Sequence, residues 1–260
     1  MRFATWNVNS VRKRLDGLRR FLKGVEPDIV CLQELKCVEQ DFPTLELLGE
    51  GYRAEVIGQK AYNGVAVLSR AAARETVRGL PGDAADEQAR YLEAVFDGAH
   101  GPFRVVSLYL PNGNPAGTEK YAYKLKWMER LEQRAAELLE TEVPFVLAGD
   151  FNVIPGRADA ADPAAWETDA LFLPEVRNAF RRLLNRGFLD VAAARFSGAS
   201  GFTFWDYQGA ARARNNGIRI DHLLASPAMA DRLTGVAIHA ETRDWPEPSD
   251  HVPVVAEFDV

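Results

Sequence analysis

The sequence predicts an α/β (α+β) fold in which two mixed β-sheets stack face to face with helices on both outer sides. This is a four-layered α/β-sandwich in a single domain covering residues 1–260. Three observations carry the prediction. Short apolar runs alternate with helical stretches along the chain, and no Ser/Gly/Pro linker or short repeat divides it. Several of those runs, such as Ile29-Val30-Cys31-Leu32, are continuously apolar, as in strands buried on both faces. Finally, Ala4-Thr5-Trp6-Asn7-Val8 echoes Ala148-Gly149-Asp150-Phe151-Asn152-Val153, each an apolar strand ending on an Asn, which suits two pseudo-equivalent halves.

The elements follow in order. Arg2–Val8 reads as a strand, and Val11–Val25 as an amphipathic helix with Val11, Leu15, Leu18, Leu22 and Val25 on one stripe. Asp28–Gln33 is a buried strand. Strands at Tyr52–Ile57, Gly64–Ser69, Arg74–Arg78, Tyr91–Phe96 and Phe103–Tyr109 are spaced like an antiparallel meander with Gly-containing turns. A long helix over Thr118–Glu142 is stopped by Pro144, and Phe145–Ala148 is a further buried strand. Arg157–Pro174 reads as a polar, Ala-rich surface loop and Glu175–Arg186 as a helix. The last third reads as a strand at Phe202–Tyr207, a basic loop, a strand at Ile218–Leu224 and a short helix after Pro227. Strands at Val236–His239 and Val252–Phe258 complete it.

Composition excludes several classes. With 260 residues, 47% hydrophobic and 26% charged, the chain has ordinary globular makeup and enough length for a full core. No apolar stretch approaches the roughly 18 residues of a membrane helix, and the start lacks a signal-peptide core. Two cysteines, Cys31 and Cys37, provide neither a disulfide framework nor a zinc pair, so a cytoplasmic protein is expected. Cys31 reads as a small buried apolar residue. Net charge is −6, the wrong sign for a chain coated in nucleic-acid contacts. Yet residues 1–24 carry seven basic residues against the single acid Asp16, and further basic groups fall at Lys120/Lys124/Lys126, Arg177–Arg186 and Arg212/Arg214/Arg219. Each group alone also suits a solvated face.

The chemistry lies at the strand ends. Trp6 gives way to Asn7, Gln33 to Glu34, Gly149 to Asp150 and Asn152, Ile220 to Asp221, and the loop before the last strand delivers Ser249-Asp250-His251. A carboxylate beside a buried strand is costly unless it is paired or binds a cation. Single cases are usually caps or structural hydrogen bonds, but strand ends on one sheet edge converge. Oxygen ligands without thiolates suit Mg²⁺ or Mn²⁺ rather than zinc. Such an ion polarises a phosphoryl oxygen, a carboxylate orients and deprotonates water, and an Asp-held imidazole binds developing charge; this is phosphoester hydrolysis. No P-loop, dinucleotide fingerprint or Gly-x-Ser-x-Gly elbow is present.

The ordered blocks Trp6-Asn7-Val8-Asn9, Leu32-Gln33-Glu34, Gly149-Asp150-Phe151-Asn152 and Ser249-Asp250-His251 resemble the endonuclease/exonuclease/phosphatase superfamily. Asn63–Ala66, Tyr109–Gly113, Phe202–Tyr207 and Arg219–Leu224 narrow the resemblance to the exonuclease III branch, which includes class II abasic-site endonucleases, over Arg2 to about Val255. The resemblance implies that Glu34 is the principal metal ligand, with Asn7 and Asp250 completing the shell. Asp150 would activate the attacking water or protonate the leaving group, and would also touch a metal. Asn152 would hold the phosphate or nucleophile, and His251, oriented by Asp221, would contact the phosphate; both stand among the candidate metal ligands as well. Tyr109 would stabilise the transition state, Asn112 would contact the phosphate, and Arg90 would reach the DNA backbone.

Other readings stand beside these. Tyr109 also fits a core aromatic, and Asp221 a structural partner of Arg219. Phe204 and Trp205 fit either core packing or a ring against the deoxyribose of an abasic site. His100, His222 and His239 receive no role. Arg12–Arg14, Lys120–Lys126 and Arg212/Arg214 are the candidates to grip duplex DNA by counterion release. The resulting expectation is a monomeric, Mg²⁺- or Mn²⁺-dependent DNA repair nuclease without membrane contact. It would cut duplex DNA 5′ to abasic sites and trim 3′ ends. The alternatives are a phosphatase or phosphodiesterase on a non-DNA substrate, an exonuclease with little abasic-site activity, and a catalytically silent DNA-binding protein.

Overall fold

The computed structural model describes residues 1–196 and 198–260. The chain runs β1 (Arg2–Asn7), α1 (Leu15–Val25), β2 (Ile29–Gln33), α2 (Thr44–Gly49), β3 (Arg53–Ile57), β4 (Val65–Ser69), β5 (Glu75–Arg78), β6 (Tyr91–Gly98), β7 (Gly101–Tyr109), α3 (Glu119–Glu140) and β8 (Phe145–Asp150). It continues through α4 (Pro174–Asn185), β9 (Leu189–Asp190), β10 (Asp221–Ala225), α5 (Pro227–Ala230), β11 (Leu233–Ile238) and β12 (Val254–Phe258). One six-stranded sheet has the order β11-β12-β1-β2-β4-β3, the other β5-β6-β7-β8-β10-β9.

Strand alternation builds the layers, because successive side chains point to opposite faces. Phe3 of β1, Ile29 and Cys31 of β2, Phe103 and Val105 of β7, Val146 and Ala148 of β8, Leu223 of β10 and Val254 of β12 fill the core between the sheets. The alternate residues face outward. Ala4, Trp6, Val30 and Leu32 pack with Leu18, Phe21 and Leu22 of α1. Val106, Leu108, Phe145 and Leu147 pack with Trp127, Leu131 and Phe180 of α3 and α4. The result is the expected four-layered sandwich.

The two sheets repeat one pattern. In the first, β1 is parallel to β2 and antiparallel to β12; in the second, β8 is parallel to β7 and antiparallel to β10. The echo between residues 4–8 and 148–153 is therefore the equivalence of β1 and β8, the middle strands of the two halves.

Several boundaries are corrected. The first helix begins at Leu15, because Asn9 and Ser10 have φ of 44° and 87° and turn the chain before it. Phe202–Tyr207 is not a strand: Phe204 alone forms bridges, to Ile218 and His251. The strand placed at Ile218–Leu224 is Asp221–Ala225, and that placed at Val236–His239 is Leu233–Ile238. The 157–174 stretch is not plain surface, since it holds two short 3-10 turns and buries Ala170, Leu171 and Phe172. Helix α2 and strand β9 have no counterpart in the sequence reading.

Candidate active site

The inner stripe of each central strand turns polar at one end of the sandwich. Phe3 gives way to Thr5 and Asn7 on β1, Cys31 to Gln33 on β2, Val105 to Ser107 and Tyr109 on β7, and Ala148 to Asp150 on β8; β10 begins with Asp221 on the same face. Parallel register sets Asn7 beside Gln33 and Tyr109 beside Asp150, and antiparallel register sets Asp221 opposite Asp150. Beneath them Thr5 Oγ1 donates to Gln33 Oε1 and Gln33 Nε2 donates to Ser107 Oγ, both at 3.3 Å, satisfying the buried polar groups across the two sheets.

The Asn7 amide joins the acids. Its Nδ2 donates to Glu34 Oε1 at 2.9 Å and to Asp150 Oδ2 at 3.0 Å. Glu34 reaches this point through a left-handed backbone (φ 53°), a conformation that usually costs a non-glycine residue about 1–3 kcal/mol. Fully buried Asp221 accepts from His251 Nδ1 at 2.9 Å, leaving Nε2 directed at Asp150 Oδ2, 3.8 Å away. Ser249 Oγ donates to Asn7 O, His251 N donates back to Ser249 Oγ, and Trp6 Nε1 donates to His251 O, so the imidazole is braced from both sides. Thr203 Oγ1 accepts from Asp221 N.

The pKa shifts follow from this crowding. Burial pushes the Asp150 carboxyl above the ordinary carboxylate range, against the pull of His251 and with the push of Asp221 and Glu34. Burial also disfavours charge on His251, but Asp221 and Asp150 outweigh it and hold the imidazole above its usual value. Glu34 pays burial yet lies below its usual value, because the Lys36 ammonium and Asn7 favour its ionised form. Burial, with Glu34 and Asp150 adding, pushes the Tyr109 phenol well up, so it stays a neutral donor.

Glu34, Asp150 and His251 offer ligand atoms that all lie within 4.8 Å of one another, a group able to hold a metal ion. Two carboxylates and one imidazole, without thiolate, suit an oxygen-seeking divalent cation. Asp250 stands outside this trio and accepts from Asn9 Nδ2 at 2.9 Å. Lys36, a residue the sequence reading missed, pairs with Glu34 Oε2 at 2.8 Å and donates to Asn9 Oδ1. Lys36 lies two residues beyond Glu34 in a plain Leu-Lys context, so only the fold marks it.

The other predicted site residues divide. Asn152 N donates to Asp150 Oδ1, and Asn112 Nδ2 donates to Asn152 Oδ1 at 3.1 Å, which brings both amides to the rim. Arg90 Nη1 donates to Tyr109 O and its guanidinium lies 4.8 Å from the Tyr109 ring centre. Lys120 is exposed and lines, with Arg90 and Asn112, a cavity of about 480 Å³ beside the site. Phe204 packs edge-on to His251, with ring centres 4.9 Å apart. Trp205 is a core residue: it is 2% exposed, packs edge-on to Phe202 and donates to Asn215. Lys124 is no backbone-gripping cation, being fully buried, its pKa lowered to about 7 by desolvation. Arg212 is tied to Asp244 while Arg214 is exposed. Asp221 is not the partner of Arg219, which pairs instead with Asp159 and Asp190; His222, left without a role, is fully buried against Asp190.

The endonuclease/exonuclease/phosphatase family profile matches residues 4–251. Exodeoxyribonuclease III of Haemophilus influenzae is 32% identical over 99% of this chain and 100% of its own. A 3′–5′ exonuclease of Neisseria meningitidis superposes with a TM-score of 0.94 at 39% identity, and an AP endonuclease of Archaeoglobus fulgidus with 0.92 at 34%, each covering the whole of both chains. With two pseudo-equivalent sheets delivering acids, amides and an Asp-held imidazole to one edge, and with matches of this extent, the chain belongs to the endonuclease/exonuclease/phosphatase family, in its exonuclease III and AP endonuclease branch.

Proposed function

We propose that this protein is a divalent-metal-dependent DNA repair nuclease that hydrolyses the phosphodiester 5′ to abasic sites in duplex DNA and trims 3′ ends. The convergence of Glu34, Asp150 and His251 at the polar end of the inter-sheet layer carries this reading. Exodeoxyribonuclease and AP endonuclease relatives at full-length coverage support DNA as the substrate.

Glu34 and Asp150, with Asn7 and Asp250 nearby, would hold Mg²⁺ or Mn²⁺, which when bound neutralises charge building on the phosphate and leaving oxygen. The chain's own groups do the rest. Asp150, its pKa raised by burial, is suited to take the proton of the attacking water. Asp221 fixes the tautomer of His251 and keeps Nε2–H toward the phosphate, as in other His–Asp pairs. Tyr109, Asn112 and Asn152 present neutral donors where negative charge develops. Phe204, beside His251, is the aromatic placed to pack against a sugar lacking its base. An abasic nucleotide is already unstacked, so moving it into a pocket is cheap. Lys120, Arg90 and Arg214 would contact backbone phosphates. We place the enzyme in the cytoplasm as a monomer; both cysteines are free and buried, which fits a reducing compartment.

The test uses a duplex with one tetrahydrofuran abasic analogue, with and without EDTA. Nicking 5′ to the lesion that disappears with EDTA and returns with Mg²⁺ is expected. Removal of 3′ ends without nicking would reduce the function to exonuclease, and binding without turnover, even with Mn²⁺, would overturn the enzymatic reading.

A further inference from the structure

Lys124, in the second turn of α3, is fully buried, and its ammonium makes no ion pair among the described residues. Its Nζ donates instead to two backbone carbonyls, Asn112 O at 3.0 Å and Asn152 O at 2.6 Å. Burying an ammonium without a paired carboxylate is expensive, and a methionine of similar shape would fill the space at lower cost. The two acceptors explain the expense. One belongs to the turn after β7 and the other to the turn after β8, and these are the residues whose side chains reach the rim of the site.

Both turns are conformations that need holding. Asn152 has φ of 47°, and Gly113, directly after Asn112, has φ of 86°. A Cβ added at Gly113 would lie 2.6 Å from Lys124 Cδ, so the lysine stem is packed against this turn along its length. Across the turns, Asn112 Nδ2 donates to Asn152 Oδ1 and Asn152 Nδ2 donates to Leu110 O. Each amide nitrogen therefore spends one N–H on the scaffold and keeps the other for a ligand oxygen.

We propose that Lys124 is a positioning residue for phosphodiester hydrolysis, clamping the Asn112 and Asn152 turns so that their two amides face the scissile phosphate as a fixed pair. It never touches substrate and acts through Asn112 and Asn152. The proposal rests on the nuclease reading above. It accounts for a cation that composition alone would assign to DNA binding, and it makes the turn after β7 dependent on the turn after β8.

The experiment is a double-mutant cycle on the abasic duplex, with turnover expressed per folded molecule. Lys124→Met should lower kcat about ten- to hundredfold, the scale of a misplaced catalytic group, with KM within about threefold of the parent. In an Asn152→Ala background the same change should cost almost nothing further, since its route is already removed. Lys124→Gln, which keeps an N–H donor one bond shorter, should recover part of kcat, and it replaces Lys124→Met in the cycle should that variant not fold. A merely structural lysine would lower Tm and leave kcat per folded molecule intact; that result, or effects that multiply in the double mutant, overturns the proposal. Side-chain amide NMR gives a readout independent of activity: the Asn112 and Asn152 NH2 resonances should shift and exchange faster in the variant. Unchanged resonances would sink the proposal, whereas a wild-type protein that does not cut would sink only the nuclease reading.

Discussion

Asp150 is the residue on which the site turns, since it touches Asn7, faces His251 and accepts from the backbone of Asn152. Asp150→Asn keeps the shape and removes the proton acceptor, so turnover should fall by about 10²–10⁴-fold while DNA binding stays nearly intact. A parallel loss of binding, read by fluorescence anisotropy, would show the residue to be a structural or binding group instead. The residue types of the site were legible in sequence because each sits where an apolar strand becomes polar. Burial was not. Lys124 and Trp205 carry groups that elsewhere serve DNA contact, yet tertiary packing encloses both. Lys36 stayed hidden because its role depends on Glu34 turning through a left-handed backbone to meet it.

At the level of elements, the site depends on how closely β7 and β8 run together. A Cβ at Gly149 would stand 1.9 Å from Leu108 O, a backbone atom that cannot move without shifting β7. Gly149→Ala should therefore destabilise the protein by about 1–3 kcal/mol or more, the usual cost of overpacking. Thermal melting reads that loss, and reduced turnover in the molecules still folded is also expected, because Asp150 and Tyr109 are paired in the same register. Strands with continuous apolar runs were readable to within a residue or two. Phe202–Tyr207 misled because aromatic content mimics a strand, whereas only Phe204 of these residues forms bridges, to Ile218 and His251. Short α2 was missed because six residues hold too little periodicity to stand out.

Across the whole molecule, the sequence echo between β1 and β8 made the two-sheet plan readable, while the order of strands within each sheet came only from pairing. Charge distribution was readable as composition but not as surface. Arg2 pairs with Glu257, Arg12 with Asp41, and Arg19 and Lys23 with Glu50, so four of the seven basic residues of the N-terminal segment already face a carboxylate. Few phosphates should be neutralised on binding, and log Kd against log salt should change by about 0.9 per phosphate contacted; a slope near ten would contradict this. Stability has its own anchor in the buried Arg219–Asp190–His222 group. Burial raises the Asp190 pKa, but His222 and Arg219 hold it far below the ordinary value. A carboxyl depressed in the folded state stabilises above its unfolded pKa of about 3.9 and loses that contribution as acid protonates it. Melting temperature should accordingly fall below about pH 4, and Asp190→Asn should remove this acid sensitivity while lowering stability at neutral pH. A variant that melts like the parent at pH 7 would exclude the anchoring role. There is also a temporal side to β12 lying beside β1. During synthesis Glu34 and Asp150 emerge before the segment that bears His251 and supplies β12 to the first sheet. A nascent chain that stops short of that segment therefore carries both carboxylates without the imidazole.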